Sequence, residues 1–171
     1  MGAKPSVYLD ANILSVLHQR RARGVLRDHQ LVTREWWEQE RRFFQLYSSV
    51  RTESELAAGK YSGQAEALAE VRRLRFLVFS GEVRDLALSY LEEQIVPASS
   101  PGDAYHLAFA AVHMIDYLMT WNQAHLLNVE TWAKLKALHE RTGLYMPWLV
   151  SPKTIPRVWL GQVIRRPKNA T

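Results

Sequence analysis

The chain has 171 residues, 47% of them hydrophobic and 23% charged, with a formal net charge of +5. It has no cysteine, which excludes disulfides, thiolate metal sites and cysteine nucleophiles. The length suits one domain with a core that needs no covalent staple. No apolar run approaches the ~20 residues of a membrane span, and residues 1–6 lack an apolar signal core, so a cytoplasmic protein without a membrane partner is expected, and the basic balance suits a polyanion such as nucleic acid.

Val7-Tyr8-Leu9 is a short apolar run that stops at Asp10, too short for a helix and suited to a buried strand. Helical spacing follows, with Ile13, Val16 and Leu17 on one face and Gly24 as the expected stop. Thr33 is the expected cap of a second helix running through Trp36, Trp37, Phe43, Phe44 and Leu46. Residues 48–51 read as a short strand or extended link. Thr52 then opens a helix that Gly59 closes, and residues 64–74 form another. Residues 76–79 are a strand, 82–94 a helix, and 98–102 a loop rich in Ser, Pro and Gly. A small, apolar helix starts at Asp103 and reaches His113. Residues 117–120 make a further strand ending at Trp121-Asn122. A helix over 130–141 and a strand over 149–152 follow. Residues 1–150 are thus expected to form a single domain, with 151–171 as a C-terminal extension whose basic end, 165–171, is frayed. Strands alternating with helices imply an α/β layer fold with a mainly parallel sheet. Sites in such sheets gather beyond the carboxyl ends of strands.

Three carboxylates fall at such places. Asp10 ends the first strand, Glu55 lies near a helix start, and Asp103 opens the apolar helix. Each has an ordinary role when taken alone: Asp is a favoured N-cap, and Glu in a first turn suits the helix dipole. Glu53 points to another side of its helix. Asp116 precedes its strand and so lies at the wrong end to join Asp10, whereas Asn122 lies at the correct end. Gathered in space, the three acids would repel one another unless a cation balanced them. All-oxygen ligands suit Mg²⁺ or Mn²⁺. The six histidines are scattered, and no pair has a zinc spacing with a third ligand. His106, three residues after Asp103, shares that helix face, though such a histidine is commonly a satisfied residue at the edge of a core.

At these residues the chain resembles the PIN-domain nucleases, and among them the VapC-like toxins of toxin–antitoxin pairs. The family's opening pattern matches Val7-Tyr8-Leu9-Asp10-Ala11-Asn12-Ile13-Leu14. Its second acid matches Glu55-Leu56-Ala57-Ala58-Gly59, and its third matches Asp103-Ala104-Tyr105-His106-Leu107-Ala108. The closing pattern matches Asp116-Tyr117-Leu118-Met119-Thr120-Trp121-Asn122 with His125. The pieces come in the family's order over residues 7–150. The resemblance implies a PIN-like α/β/α sandwich, Mg²⁺ or Mn²⁺ dependence and endonuclease action on RNA. It carries Asp10, Glu55 and Asp103 over as metal-binding acids. Where the family often has a fourth acid, this chain has Asn122, whose amide brings no charge. The resemblance further implies a cognate antitoxin, which would cover the site, and a homodimer.

The mechanism expected from this reading has Asp10, Glu55 and Asp103 holding the ion, which activates water against a phosphodiester. Asn122 acts beside them, and Asn12, Thr120 and His106 orient the groups around them. Arg20, Arg21, Arg23 or Arg51 would hold the RNA backbone. Buried core is the expected place for most of the six tryptophans. The alternative is a catalytically weak or inactive RNA-binding or interaction module on the same fold. A phosphatase with an aspartyl-phosphate intermediate would need a second Asp where Asn12 stands. A small-molecule α/β binder is a further alternative, but the sequence has no glycine-rich phosphate loop.

Overall fold

The computed structural model describes residues 4–156, together with the backbone of Val158–Trp159 and Gln162–Val163. The expectation of a frayed end over 165–171 lies outside the described residues. Five strands, β1 (Ser6–Leu9), β2 (Gln45–Ser48), β3 (Arg75–Phe76), β4 (Tyr117–Met119) and β5 (Trp148–Val150), form one sheet in the order β3-β2-β1-β4-β5. Every pairing in it is parallel. Among the described residues seven α-helices connect them: α1 (Ala11–His18), α2 (Val25–Gln39), α3 (Val50–Ala58), α4 (Gln64–Val71), α5 (Gly81–Glu92), α6 (Pro101–Val112) and α7 (Val129–Thr142), with a short 3-10 turn over Arg41–Phe43 before β2. A two-residue antiparallel pair, β6 (Val158–Trp159) with β7 (Gln162–Val163), follows.

The side-chain alternation of β1 and β4 divides the core in two. Val7, Leu9, Tyr117 and Met119 face a cluster with Ile13, Leu14 and Leu17 of α1, Trp36 and Trp37 of α2, Leu56 of α3, and Ala67 and Val71 of α4. Tyr8 and Leu118 face the opposite cluster, built from α5, α6 and α7. Helices α1 to α4 therefore cover one face of the sheet and α5 to α7 the other. This arrangement follows from connection handedness: the chain winds outward from β1 through β2 to β3, then returns to β4 and winds the other way, so right-handed crossovers must switch faces. The expected α/β/α layering with a parallel sheet is what the chain forms. The order reverses between β1 and β4, and a crevice opens there beyond the strand ends.

Several local expectations give way. α1 stops at His18, and Gly24, expected to end it, sits instead at φ 53° as the residue before α2. Thr33 does not cap a helix. It lies buried in the middle of α2, its hydroxyl donating to the carbonyl of His29 at 2.7 Å, a bond that competes poorly with capping but is common within helices. The expected continuation of α2 to Leu46 fails because Gln45–Ser48 joins the ladder of β1, with Val7 opposite Leu46 and Tyr8 opposite Tyr47. The hydrogen bonds of a central strand outweigh a helical spacing carried by only three aromatic or aliphatic residues. Ser49, not Thr52, caps α3, its Oγ accepting from the backbone N–H of Arg51 and Thr52. Ile155, five residues past β5, is buried in the first of the two clusters.

Candidate metal centre

Asp10, Ser49 and Thr120 directly follow β1, β2 and β4, so the parallel sheet delivers them to one edge. Asp10 is almost fully buried and is held on several sides. Its Oδ2 accepts from the Thr120 hydroxyl at 2.6 Å and from the Asn12 side-chain amide at 2.7 Å. The Asn12 backbone N–H reaches Oδ1 at 3.3 Å, so Asp10 does cap α1 as well. Asn12 also donates to Thr120 Oγ1 and accepts from the Trp121 backbone N–H, which ties the ends of β1 and β4 together. Asn12 and Thr120 thus orient Asp10 itself. Trp121 is fixed in turn from α2, its indole N–H donating to Thr33 and its ring stacking on His29 at 3.9 Å.

Because α3 starts at Val50, Glu55 falls in its second turn and not its first. From there it is turned inward. Oε1 accepts from Arg51 Nε at 2.7 Å, one helical turn back, and Oε2 faces His106 Nε2 at 3.0 Å. His106 lies in the middle of α6, 1% exposed, and its Nε2 also stands 3.5 Å from Asp10 Oδ1. Its Nδ1 meets the hydroxyl of Tyr8 at 2.8 Å, and that hydroxyl reaches Ser49 Oγ at 2.7 Å and Thr52 Oγ1 at 3.1 Å. Asp10, Glu55 and His106 each offer a ligand atom, all within 4.8 Å of one another.

Asp103 stands in the first turn of α6 and does not cap it; the capping position is Ser100. Its carboxylate accepts from the Asn122 amide at 3.0 Å to each oxygen and meets His125 Nδ1 at 2.8 Å. Asn122 Oδ1 is turned away, accepting from the His125 backbone N–H. Asn122 therefore braces the third acid. Asp103 does not join the tight Asp10–Glu55–His106 group, but all three acids line the same cleft of about 400 Å³, with Asn12, Ser15, Gln19, Gly59 and Tyr61 among its walls. Asp116 lies at the opposite edge of the sheet, as its position before β4 requires, accepting from the backbone and hydroxyl of Ser6.

The electrostatics match a crowded acidic pocket. Burial raises the Asp103 carboxyl above its usual range and the charge of Asp10 adds to this, against the lowering effect of the His125 and Asn122 hydrogen bonds. Burial pushes Glu55 up too, but His106 and Arg51 outweigh it and hold the carboxyl low. For His106 burial disfavours the imidazolium, yet Tyr8, Asp10 and Glu55 together raise its pKa well above the ordinary value. The pocket thus favours a positive charge between Asp10 and Glu55. Two carboxylates and an imidazole facing one another at these separations fit a divalent cation by donor type as well as by distance.

His106, Tyr8 and Ser49 are the groups whose part sequence reasoning understated or missed. The spacing of His106 from Asp103 was a usable signal. Tyr8 carried a weaker one: a tyrosine alternating with Val7 and Leu9 must face the helix layer opposite theirs, and its hydroxyl there needs a partner. Gly102 is a fourth such residue. A Cβ at this residue would lie 2.5 Å from Glu55 Oε1 and 2.9 Å from an Arg51 nitrogen. In Gly102→Ala the Glu55 carboxylate must swing aside, while the helix gains roughly 0.5–1 kcal/mol of propensity. The expected outcome is an unchanged or slightly raised melting temperature with divalent-cation affinity lowered about 10- to 100-fold, the range seen when a ligand's support is disturbed. Calorimetric titration beside a thermal melt measures both, and equal affinity in the two proteins would refute this role for Gly102.

Comparison of the chain with models of known protein families gave no match, and comparison with curated proteins gave none either.

Proposed function

We propose that the protein is a divalent-metal-dependent endoribonuclease of the PIN kind, acting as the toxin of a toxin–antitoxin pair. The observation that carries this reading is the Asp10–Glu55–His106 group, set with Asp103 in one cleft at the carboxyl edge of a parallel sheet. Beside it stands the ordered resemblance of four motifs to that family. Asp10 and Glu55 would hold the ion, Mg²⁺ or Mn²⁺, with Asp103 across the cleft. A cation so held would supply a lowered water pKa and charge neutralisation at a phosphodiester.

The chain's own groups supply positioning. Thr120 and Asn12 fix the Asp10 carboxylate, Arg51 fixes that of Glu55, and Asn122 with His125 fix that of Asp103. The exposed loop between α1 and α2 carries Arg20, Arg21 and Arg23 beside Gln19 and Leu26 of the cleft wall, a suitable place for an RNA backbone. Arg20 also pairs with Glu66. Among the tryptophans with described side chains, Trp36 and Trp37 are buried core, whereas Trp148 is exposed. No helix among the described residues is long and apolar enough to cross a membrane. A partner that silences the enzyme would cover the cleft and bring a basic group to its acids.

The test is incubation of the purified protein with structured and single-stranded RNAs in Mg²⁺, in Mn²⁺ and in EDTA. Cleavage that needs metal and stops in EDTA is expected. RNA binding without cleavage under every condition would contradict the enzyme reading and favour a binding module. The bracing of Asp103 by an uncharged Asn122 would then be its structural motive.

A further inference from the structure

We infer that His106 is itself a metal ligand, and that the centre consequently prefers a first-row transition cation over Mg²⁺. This rests on the metal-centre reading above and deepens it.

The distances carry the argument. Ligand atoms about 2.1–2.2 Å from a divalent ion lie about 3.0 Å apart when they subtend a right angle and about 3.5 Å apart at a tetrahedral angle. His106 Nε2 stands 3.0 Å from Glu55 Oε2 and 3.5 Å from Asp10 Oδ1. As a hydrogen-bonding group Nε2 meets Glu55 Oε2 alone, with Asp10 Oδ1 beside it at a ligand-to-ligand separation. The ring faces both from the interior, at 1% exposure.

The other side of the ring is prepared as a ligating histidine requires. Metal-bound histidines nearly always donate their second ring N–H to a fixed acceptor, which sets the tautomer. Here Nδ1 meets the Tyr8 hydroxyl oxygen at 2.8 Å. That hydroxyl can pass its own hydrogen to Ser49 Oγ at 2.7 Å or Thr52 Oγ1 at 3.1 Å. Thr52 is in turn anchored by donating to the carbonyl of Leu9. When Nδ1 donates to the Tyr8 hydroxyl, Nε2 carries the lone pair and faces Asp10 and Glu55. These anchors come from β1 and α3, so the ring is held by the same elements that present the two acids.

Ligand chemistry then sets the preference. Mg²⁺ takes oxygen donors and holds its waters, whereas imidazole suits the later first-row ions. Replacing one carboxylate of an all-oxygen set by a nitrogen shifts the balance away from Mg²⁺.

Mn²⁺ is the probe, since it is paramagnetic. The full-length protein, stripped with EDTA, is titrated with Mn²⁺ and with Mg²⁺ by calorimetry, and the Mn²⁺ form is examined by pulsed electron paramagnetic resonance. The expected result is Mn²⁺ binding at least about tenfold tighter than Mg²⁺, with a directly bonded ¹⁴N coupling that vanishes in His106→Gln. Tyr8→Phe, which keeps the imidazole but removes its acceptor, should lower Mn²⁺ affinity about 10- to 100-fold. Mn²⁺ bound without a nitrogen coupling in the parent, or a coupling that survives His106→Gln, overturns the inference while leaving the metal centre standing. Absence of any binding overturns the metal centre itself. The parent spectrum needs no variant, so a poorly folding His106→Gln does not block the test.

Discussion

Asp10→Asn should lower metal-dependent RNA cleavage by about a thousandfold or more and leave the protein folded. A cation that stabilises a phosphodiester displacement by several kcal/mol is worth about three decades of rate. The surrounding hydrogen bonds dictate how the new side chain must sit. Asp10 Oδ2 accepts from Thr120 and from the Asn12 amide at once, and the Asn12 amide cannot reverse its role. The asparagine must therefore keep its carbonyl oxygen there and turn its NH₂ toward His106 and Glu55. That places a donor, with no lone pair to offer, where the ligand oxygen stood. The same change relieves the repulsion that raises Asp103 but removes the Oδ1 cap of α1 and one counter-charge to His106, so the melting temperature should change little. Initial cleavage rates beside thermal melts check both parts. A folded variant that cuts within about tenfold of the parent would contradict the assignment, since removing such a group costs far more.

Trp36→Ala should cost about 3–5 kcal/mol of unfolding free energy, the usual loss for a fully buried tryptophan. Trp36 is 0% exposed and lies between α2 and the sheet, its ring 6.3 Å from that of Trp37 and 5.8 Å from that of Phe44. Little can collapse into the space, because its neighbours are themselves anchored rings. It touches none of the cation-facing groups, so the folded variant should bind Mn²⁺ as the parent does. Urea unfolding reads the first effect and calorimetry the second. A loss under about 1 kcal/mol would mean that α2 is not the support this packing implies.

What the sequence made legible, and what it hid, divides along physical lines. The strand ending at Asp10 was readable because an apolar triplet breaks abruptly at a carboxylate, and Thr120-Trp121-Asn122 because a second triplet ends there. The α/β class followed from alternation of strand and helix patterns. β2 was not readable, since Phe43, Phe44 and Leu46 fit a helical stripe and only pairing with β1 makes Gln45–Ser48 extended. That error also displaced the start of α3, and with it the position of Glu55 in its helix. Asp10, Asn12 and Thr120 could be singled out from their places at strand ends. The meeting of Glu55 with His106 could not, because it depends on α3 and α6 approaching each other across the end of β1, a contact between residues 51 positions apart. Asn122 was expected to face the reacting groups, but its amide spans the Asp103 carboxylate instead, a pairing set by how the turn after β4 docks on α6.

The most direct test of the whole account is calorimetric titration of Mn²⁺ into the EDTA-stripped protein, parent against Asp10→Asn. The account predicts a saturable site in the parent that is lost in the variant, with a matching rise in the parent's melting temperature as metal is added. A parent that binds no Mn²⁺, or a folded variant that binds it equally well, would contradict the claim that these residues form a metal centre.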